Sequence, residues 1–144
     1  MLQGSYIDIH SHILPGVDDG PESMEQTIRM LHMAVSEGIN TIIATPHYEP
    51  GGDNPSVDEL ERIRKQVEEE AFNISRNIKL YLGNEVYYGE SAVSLLKAGE
   101  ALTLAGSRYV LVEFPYGIDI KSMYQGMYNF LSHGYLPILA HVER

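Results

Sequence analysis

Five short apolar runs each end in histidine or glutamate, which restricts the chain to folds that bring successive strand ends together. Tyr6-Ile7-Asp8-Ile9 leads into His10-Ser11-His12, and Thr41-Ile42-Ile43-Ala44 into Thr45-Pro46-His47. Leu80-Tyr81-Leu82 leads into Gly83-Asn84-Glu85, Val110-Leu111-Val112 into Glu113, and Ile138-Leu139-Ala140 into His141. The sites recur at intervals of 37, 38, 28 and 28 residues, about the length of one strand–helix–strand unit. If the runs are parallel strands, every one of these side chains sits at a C-terminal strand end, where barrel enzymes keep their chemistry. The pattern predicts a metal site assembled from successive strand ends.

The segments between the runs are helical. Ser23 with Gln26 forms a capping box ahead of Met24, Ile28, Leu31 and Val35, which stripe one helix face up to Gly38. Ser56 with Glu59 caps a second helix carrying Leu60, Ile63, Val67 and Ala71. Short and longer helices follow at 91–96 and before Gly134, the latter striped by Met123, Met127, Phe130 and Leu131. Strands are expected near 6–9, 40–45, 79–85, 108–114 and 136–141. This βαβα order predicts an α/β fold with a parallel sheet. The nearly unbroken apolarity of the strands predicts cover on both faces. Five βα units do not close a barrel. With the chain stopping just after His141, the domain (residues 1–144) is expected to be incomplete at its C-terminal end or covered there by a second copy.

Composition excludes several classes. At 144 residues the chain is one domain by length, and its formal net charge of −10 argues against nucleic-acid and membrane-surface partners, which need a basic patch. An acidic protein can still hold an anionic substrate through bound cations. With no cysteine, thiolate ligands and disulfides are excluded, so a metal must be held by histidine and carboxylate. No secretory signal and no run of the roughly 20 apolar residues that span a bilayer is visible, and a cytoplasmic protein is expected.

Single residues carry unequal weight. His10 and His12 lie two apart, so on an extended strand both face the same way, together with Asp8. One such pair is often structural. A lone glutamate leaving a strand usually meets solvent, but Glu85 and Glu113 occupy equivalent positions, as do His47 and His141. Buried carboxylates need cations or hydrogen bonds to stay charged, and a metal cluster supplies both. Asp18-Asp19-Gly20 is ordinary turn chemistry. His32 reads as a partly buried packing residue of the first helix, and His133 suits the dipole at a helix end. Tyr87-Tyr88 reads either as packing or as a pocket rim. Arg144 is the basic residue nearest the site and could clamp a phosphate oxygen.

Asp8-Ile9-His10-Ser11-His12, followed by Gly16-Val17-Asp18-Asp19-Gly20-Pro21, resembles the opening of the polymerase-and-histidinol-phosphatase (PHP) superfamily. Ala44-Thr45-Pro46-His47-Tyr48, Gly83-Asn84-Glu85-Val86-Tyr87-Tyr88, Leu111-Val112-Glu113-Phe114 and Ala140-His141-Val142-Glu143-Arg144 narrow the match. They are similar to the manganese-dependent protein-tyrosine phosphatases of bacterial capsule and exopolysaccharide gene clusters. The resemblance runs in order along nearly the whole chain. It implies a distorted seven-stranded (β/α) barrel holding two or three divalent metals, with Mn²⁺ foremost and Fe, Zn, Co or Mg as alternatives. His10, His12, Asp19, His47, Glu85, Glu113 and His141 would be ligands, with Glu85 bridging. His47 and Arg144 would take catalytic roles, Arg144 on the substrate phosphate. The resemblance also implies a late Asp-x-His ligand pair that does not follow His141 here. It further implies a phosphotyrosine protein as substrate, the C-terminal tail of a tyrosine kinase, and a homo-oligomer.

The chemistry can be stated from the residues. Histidine and carboxylate donors suit Mn²⁺, Fe or Zn²⁺. Two divalent ions held close together activate water and clamp an in-line displacement at phosphorus. Phenol, with a pKa of about 10, leaves more readily than an alkyl alcohol, so aryl phosphates are the easier substrates. The absence of cysteine excludes a cysteinyl-phosphate intermediate. Three readings follow: a metal-dependent tyrosine phosphatase, another PHP phosphoesterase of histidinol-phosphate type, or an inert binding or oligomer-forming module.

Overall fold

Two strands of the fold are each broken in the middle, and these breaks create the site. The computed structural model describes residues 5–143. Its strands are β1 (Tyr6–Ser11), β2 (Ile39–Ala44), β3 (His47–Tyr48), β4 (Lys79–Leu82), β5 (Glu85–Tyr87), β6 (Tyr109–Glu113) and β7 (Leu136–Leu139). Between them lie α1 (Met24–Ser36), α2 (Val57–Ile74), α3 (Ala92–Ala98) and α4 (Ile120–Ser132). All pairings are parallel, in two sheets ordered β1-β2-β4 and β3-β5-β6-β7. The expected α/β architecture is present. The second and third apolar runs, however, each form two short strands rather than one.

The first break falls at Thr45-Pro46, where proline has no N–H for the ladder. The second falls at Gly83-Asn84. The gap is spanned by Thr45 N–H donating to the Ser11 carbonyl (2.8 Å) and Gly83 N–H to the Ala44 carbonyl (2.8 Å). Glu85 N–H then donates to the Pro46 carbonyl at 3.1 Å. The Asn84 side chain, 1% exposed, donates to that same carbonyl (3.0 Å) and accepts from Leu102 N–H (2.8 Å). A buried amide satisfied on both ends locks local geometry, because leaving either partner unpaired costs about 1–3 kcal/mol. Gly83 leaves room for the close approach: a Cβ there would lie 2.9 Å from Leu104 Cδ2. Beyond each break the chain resumes at an expected ligand's own position, His47 or Glu85, and the two residues pair directly in register.

Helix positions follow their caps and stripes. Ser23 accepts from Gln26 N–H, while the Gln26 side chain reaches back to Glu22 N–H (2.7 Å), one residue earlier than the capping box predicts. Ser56 accepts from Glu59 N–H at 3.2 Å. Leu31, Ile42, Leu60, Val67 and Leu80 form a core between the first sheet and helices α1 and α2. Val86, Leu96, Val110, Val112 and Phe130 form another under α3 and α4. Ile43, Leu111 and Ala140 pack with Leu104 in a third. Neighbours Ile42 and Ile43, or Val110 and Leu111, thus enter different cores, as a strand covered on both faces requires.

Two expectations fail in detail. The end strand β1 leaves Tyr6, Ile7 and Ile9 exposed, so cover on both faces does not extend to it. His32 is exposed rather than packed, because it lies off the stripe that carries Leu31 inward. Tyr88 packs on Phe114 with ring centroids 4.6 Å apart, the packing alternative for Tyr87-Tyr88. His133 ends α4 with Nδ1 2.8 Å from the Asn129 carbonyl oxygen, in keeping with the dipole argument.

Candidate metal centre

Glu85 is the hub of the site. Its side chain is fully buried, and neither carboxylate oxygen has a hydrogen-bond partner of acceptable geometry among the described residues. Four imidazoles nevertheless crowd it. His10 Nε2 and His12 Nε2 each stand 3.0 Å from Oε2, His47 Nδ1 stands 3.3 Å from the same oxygen, and His141 Nε2 stands 2.8 Å from Oε1. His10 Nε2 and His12 Nε2 face one another at 3.3 Å. Ring nitrogens converging on an orphaned buried carboxylate are the arrangement that a shared cation satisfies and hydrogen bonds do not.

The fold brings each donor there from a different strand end. His10 is in β1 and His12 just beyond it, His47 opens β3, Glu85 opens β5, Glu113 ends β6, and His141 follows β7. Glu113 sits at the margin, with Oε2 3.8 Å from His47 Nδ1 and Oε1 4.0 Å from His141 Nε2. His141 adopts a left-handed backbone conformation (φ 52°), uncommon for a residue with a Cβ and often found at functional positions. Asp19 is largely exposed and lies 3.4 Å from His47 Nε2 and 3.7 Å from His12 Nδ1. His10, His12, Asp19, His47 and His141 line one open cavity of about 370 Å³. Arg144, expected on the substrate phosphate, lies outside the described residues.

Donor atoms within 4.8 Å of one another form three overlapping groups: His12, Asp18, Asp19 and His47; His10, His12 and Glu85; and His47, Glu85 and Glu113. His12, His47 and Glu85 each belong to two of them, an overlap suited to more than one ion. Asp18 was not singled out by sequence reasoning. Its carboxylate lies 2.7 Å from His12 Nδ1 and accepts from His47 N–H and Gly20 N–H, both at 3.1 Å. Gly20 is needed for that turn, since a Cβ there would lie 2.2 Å from the His12 carbonyl oxygen. The signal available in the sequence was the turn glycine after the aspartate pair. It does not tell which aspartate points inward.

The cluster polarises its own members. The Asp18 and Glu85 carboxylates beside His12 raise its pKa to about 10, against the opposing effect of burial. Burial pushes Glu85 up, but the approach of His10 and His12 more than offsets this and holds it far below the ordinary carboxylate range. Burial likewise opposes ionisation of Asp18, yet His12 and the two backbone N–H groups keep it low. Without a cation, the site is an imidazolium held between carboxylates.

Residues 6–144 match the family model described as capsular polysaccharide synthesis, CpsB/CapC. The chain belongs to the CpsB/CapC family. It is 36% identical over 138 residues to tyrosine-protein phosphatase CpsB of Streptococcus pneumoniae, covering 96% of this chain and 57% of that relative. It is 37% identical over 148 residues to tyrosine-protein phosphatase YwqE of Bacillus subtilis (strain 168), with 96% and 54% covered. A solved structure, from work describing YwqE of Bacillus subtilis and CpsB of Streptococcus pneumoniae as unique metal-dependent tyrosine phosphatases, superposes with a TM-score of 0.86. The identity there is 32%, with 96% of this chain and 56% of that chain covered. The chain thus spans little more than half the length of these CpsB/CapC relatives. No described helix is long and apolar enough to cross a membrane.

Proposed function

We propose that this chain is a metal-dependent phosphoesterase of the distorted PHP-barrel type, acting on protein phosphotyrosine in the control of capsular or exopolysaccharide synthesis. The observation that carries the proposal is the fully buried Glu85 carboxylate, unsatisfied by hydrogen bonds and approached by four imidazole nitrogens. The donor set is hard oxygen and imidazole nitrogen without sulfur, which fits Mn²⁺ and its neighbours. In this reading His10, His12, Asp19, His47, Glu85, Glu113 and His141 would hold the ions, with Glu85 shared among them. When bound, such ions supply Lewis-acid polarisation of phosphoryl oxygens and activation of water.

The chain's own residues account for the rest. His47, the most exposed of the four cluster histidines, borders the open cavity, which supports its assignment to the phosphoryl group. Arg144 is assigned to a phosphoryl oxygen, where a planar guanidinium gives bidentate contact. A tyrosyl ester leaves as a phenolate of pKa about 10, so it needs less general-acid help than an alkyl phosphate. The substrate is assigned as the phosphorylated tail of a tyrosine kinase in the cytoplasm.

The test is hydrolysis of p-nitrophenyl phosphate and of an alkyl phosphate such as glycerol phosphate, by the full chain, with Mn²⁺ or with chelator. Turnover that is stimulated by Mn²⁺, abolished by chelator and faster on the aryl ester is the expected result. A preference for the alkyl ester would move the assignment to a phosphatase of histidinol-phosphate type. Absence of turnover with metal bound would leave a binding module.

A further inference from the structure

The two adjacent aspartates of the first loop face opposite ways, and their roles divide accordingly. Asp19 projects into the open cavity with its side chain 78% exposed, whereas that of Asp18 is 10% exposed. We propose that Asp18 is a positioning residue that orients His12 and fixes His47 for metal binding, and is not itself a ligand. This inference rests on the metallophosphoesterase reading above.

Asp18 Oδ2 contacts His12 Nδ1 at 2.7 Å, while the opposite ring nitrogen, Nε2, points to Glu85. A carboxylate on the Nδ1 side keeps the proton there and leaves the Nε2 lone pair free for the cluster, the usual carboxylate–histidine–metal relationship. The same Oδ2 accepts His47 N–H across 29 residues of sequence, and Oδ1 accepts Gly20 N–H. Both oxygens are therefore already engaged, with three donors spread around the carboxylate. A ligand to the ion held by His12 Nε2 would have to lie on the other side of the imidazole ring. One side chain thus ties the end of β1 to the start of β3, the two segments that supply His12 and His47. His141 has a weaker counterpart, with Nδ1 3.4 Å from the exposed Glu143.

The test is Mn²⁺ titration followed by the electron paramagnetic resonance signal of the free ion, for the full wild-type chain, Asp18→Asn and Asp18→Ala. Asp18→Ala is expected to bind the same number of ions at saturation with affinity lowered about 10–100-fold, the usual effect of losing an orienting partner. Asp18→Asn keeps an acceptor oxygen for His12 and should recover part of that loss, and it carries the test if the alanine variant does not fold. With Co²⁺ at saturation, the visible absorption of Asp18→Asn should shift, which a loss of stability alone would not produce. One ion fewer at saturation would make Asp18 a ligand and overturn the proposal. Unchanged affinity in both variants would make it a bystander. If the wild type bound no Mn²⁺ at all, the metal reading would fall and the positioning role with it, an outcome distinct from the other two.

Discussion

Glu85→Gln should lower Mn²⁺ affinity at least about 100-fold and abolish metal-stimulated phosphate hydrolysis, while the metal-free chain stays folded. Loss of a residue that only orients a ligand costs about 10–100-fold in metal affinity, so loss of the charged donor itself should cost at least the upper end of that range. Glutamine keeps the volume of the buried side chain, so the fully packed surroundings of Glu85 are not opened. It removes the charge on which all four imidazoles converge and adds an amide N–H₂ in its place. Glu113→Gln should cost less, because its oxygens stand 3.8 and 4.0 Å from the nearest imidazole nitrogens. Isothermal titration of both variants, with circular dichroism as the folding control, measures the difference. Equal losses would show that Glu85 is not the hub.

The second large effect is a loss of pH dependence on metal loading. In the metal-free chain His12 is raised from 6.5 to about 10, so the stability it contributes is fully present below pH 6.5 and is lost as pH rises towards 10. Glu85 and Asp18 are both lowered, from 4.5 and 3.8, so their contribution is present above those values and is lost as the pH falls further. The metal-free protein should therefore be most stable between about pH 5 and 6.5 and weaken above that, by up to about 1.4 kcal/mol per pH unit for one proton. Metal binding needs a neutral His12 and releases that proton, so stabilisation by Mn²⁺ should grow over the same interval. Thermal midpoints between about pH 6.5 and 8.5 should fall with rising pH in chelator and stay nearly level in excess Mn²⁺. Parallel slopes would mean that His12 does not exchange a proton for the metal.

The site was more legible in the sequence than the sheet around it. A histidine or glutamate at the end of an apolar run is a local signal, and parallel strands bring such ends together whatever the loops do. All six of these residues meet in one cluster, whose four histidines line the cavity. The broken strands were less visible, although Pro46 marked one of them, because the run 79–85 reads as continuous until Asn84 is seen bonded to Pro46 and Leu102. The division between Asp18 and Asp19 was not legible, since adjacent residues of a turn share composition and differ only in direction. The exposure of His32 was missed for a related reason: a helix stripe is about 100° wide, and one residue's step takes a side chain off it.

The most direct test of the account is anomalous X-ray diffraction from crystals of the chain grown with Mn²⁺. The account predicts at least two anomalous peaks at the cluster, one between the Glu85 carboxylate and the Nε2 atoms of His10 and His12, the other on its His47 side. A cluster without anomalous density, in crystals saturated with Mn²⁺ and with the imidazoles packed on Glu85 as they are here, would contradict it.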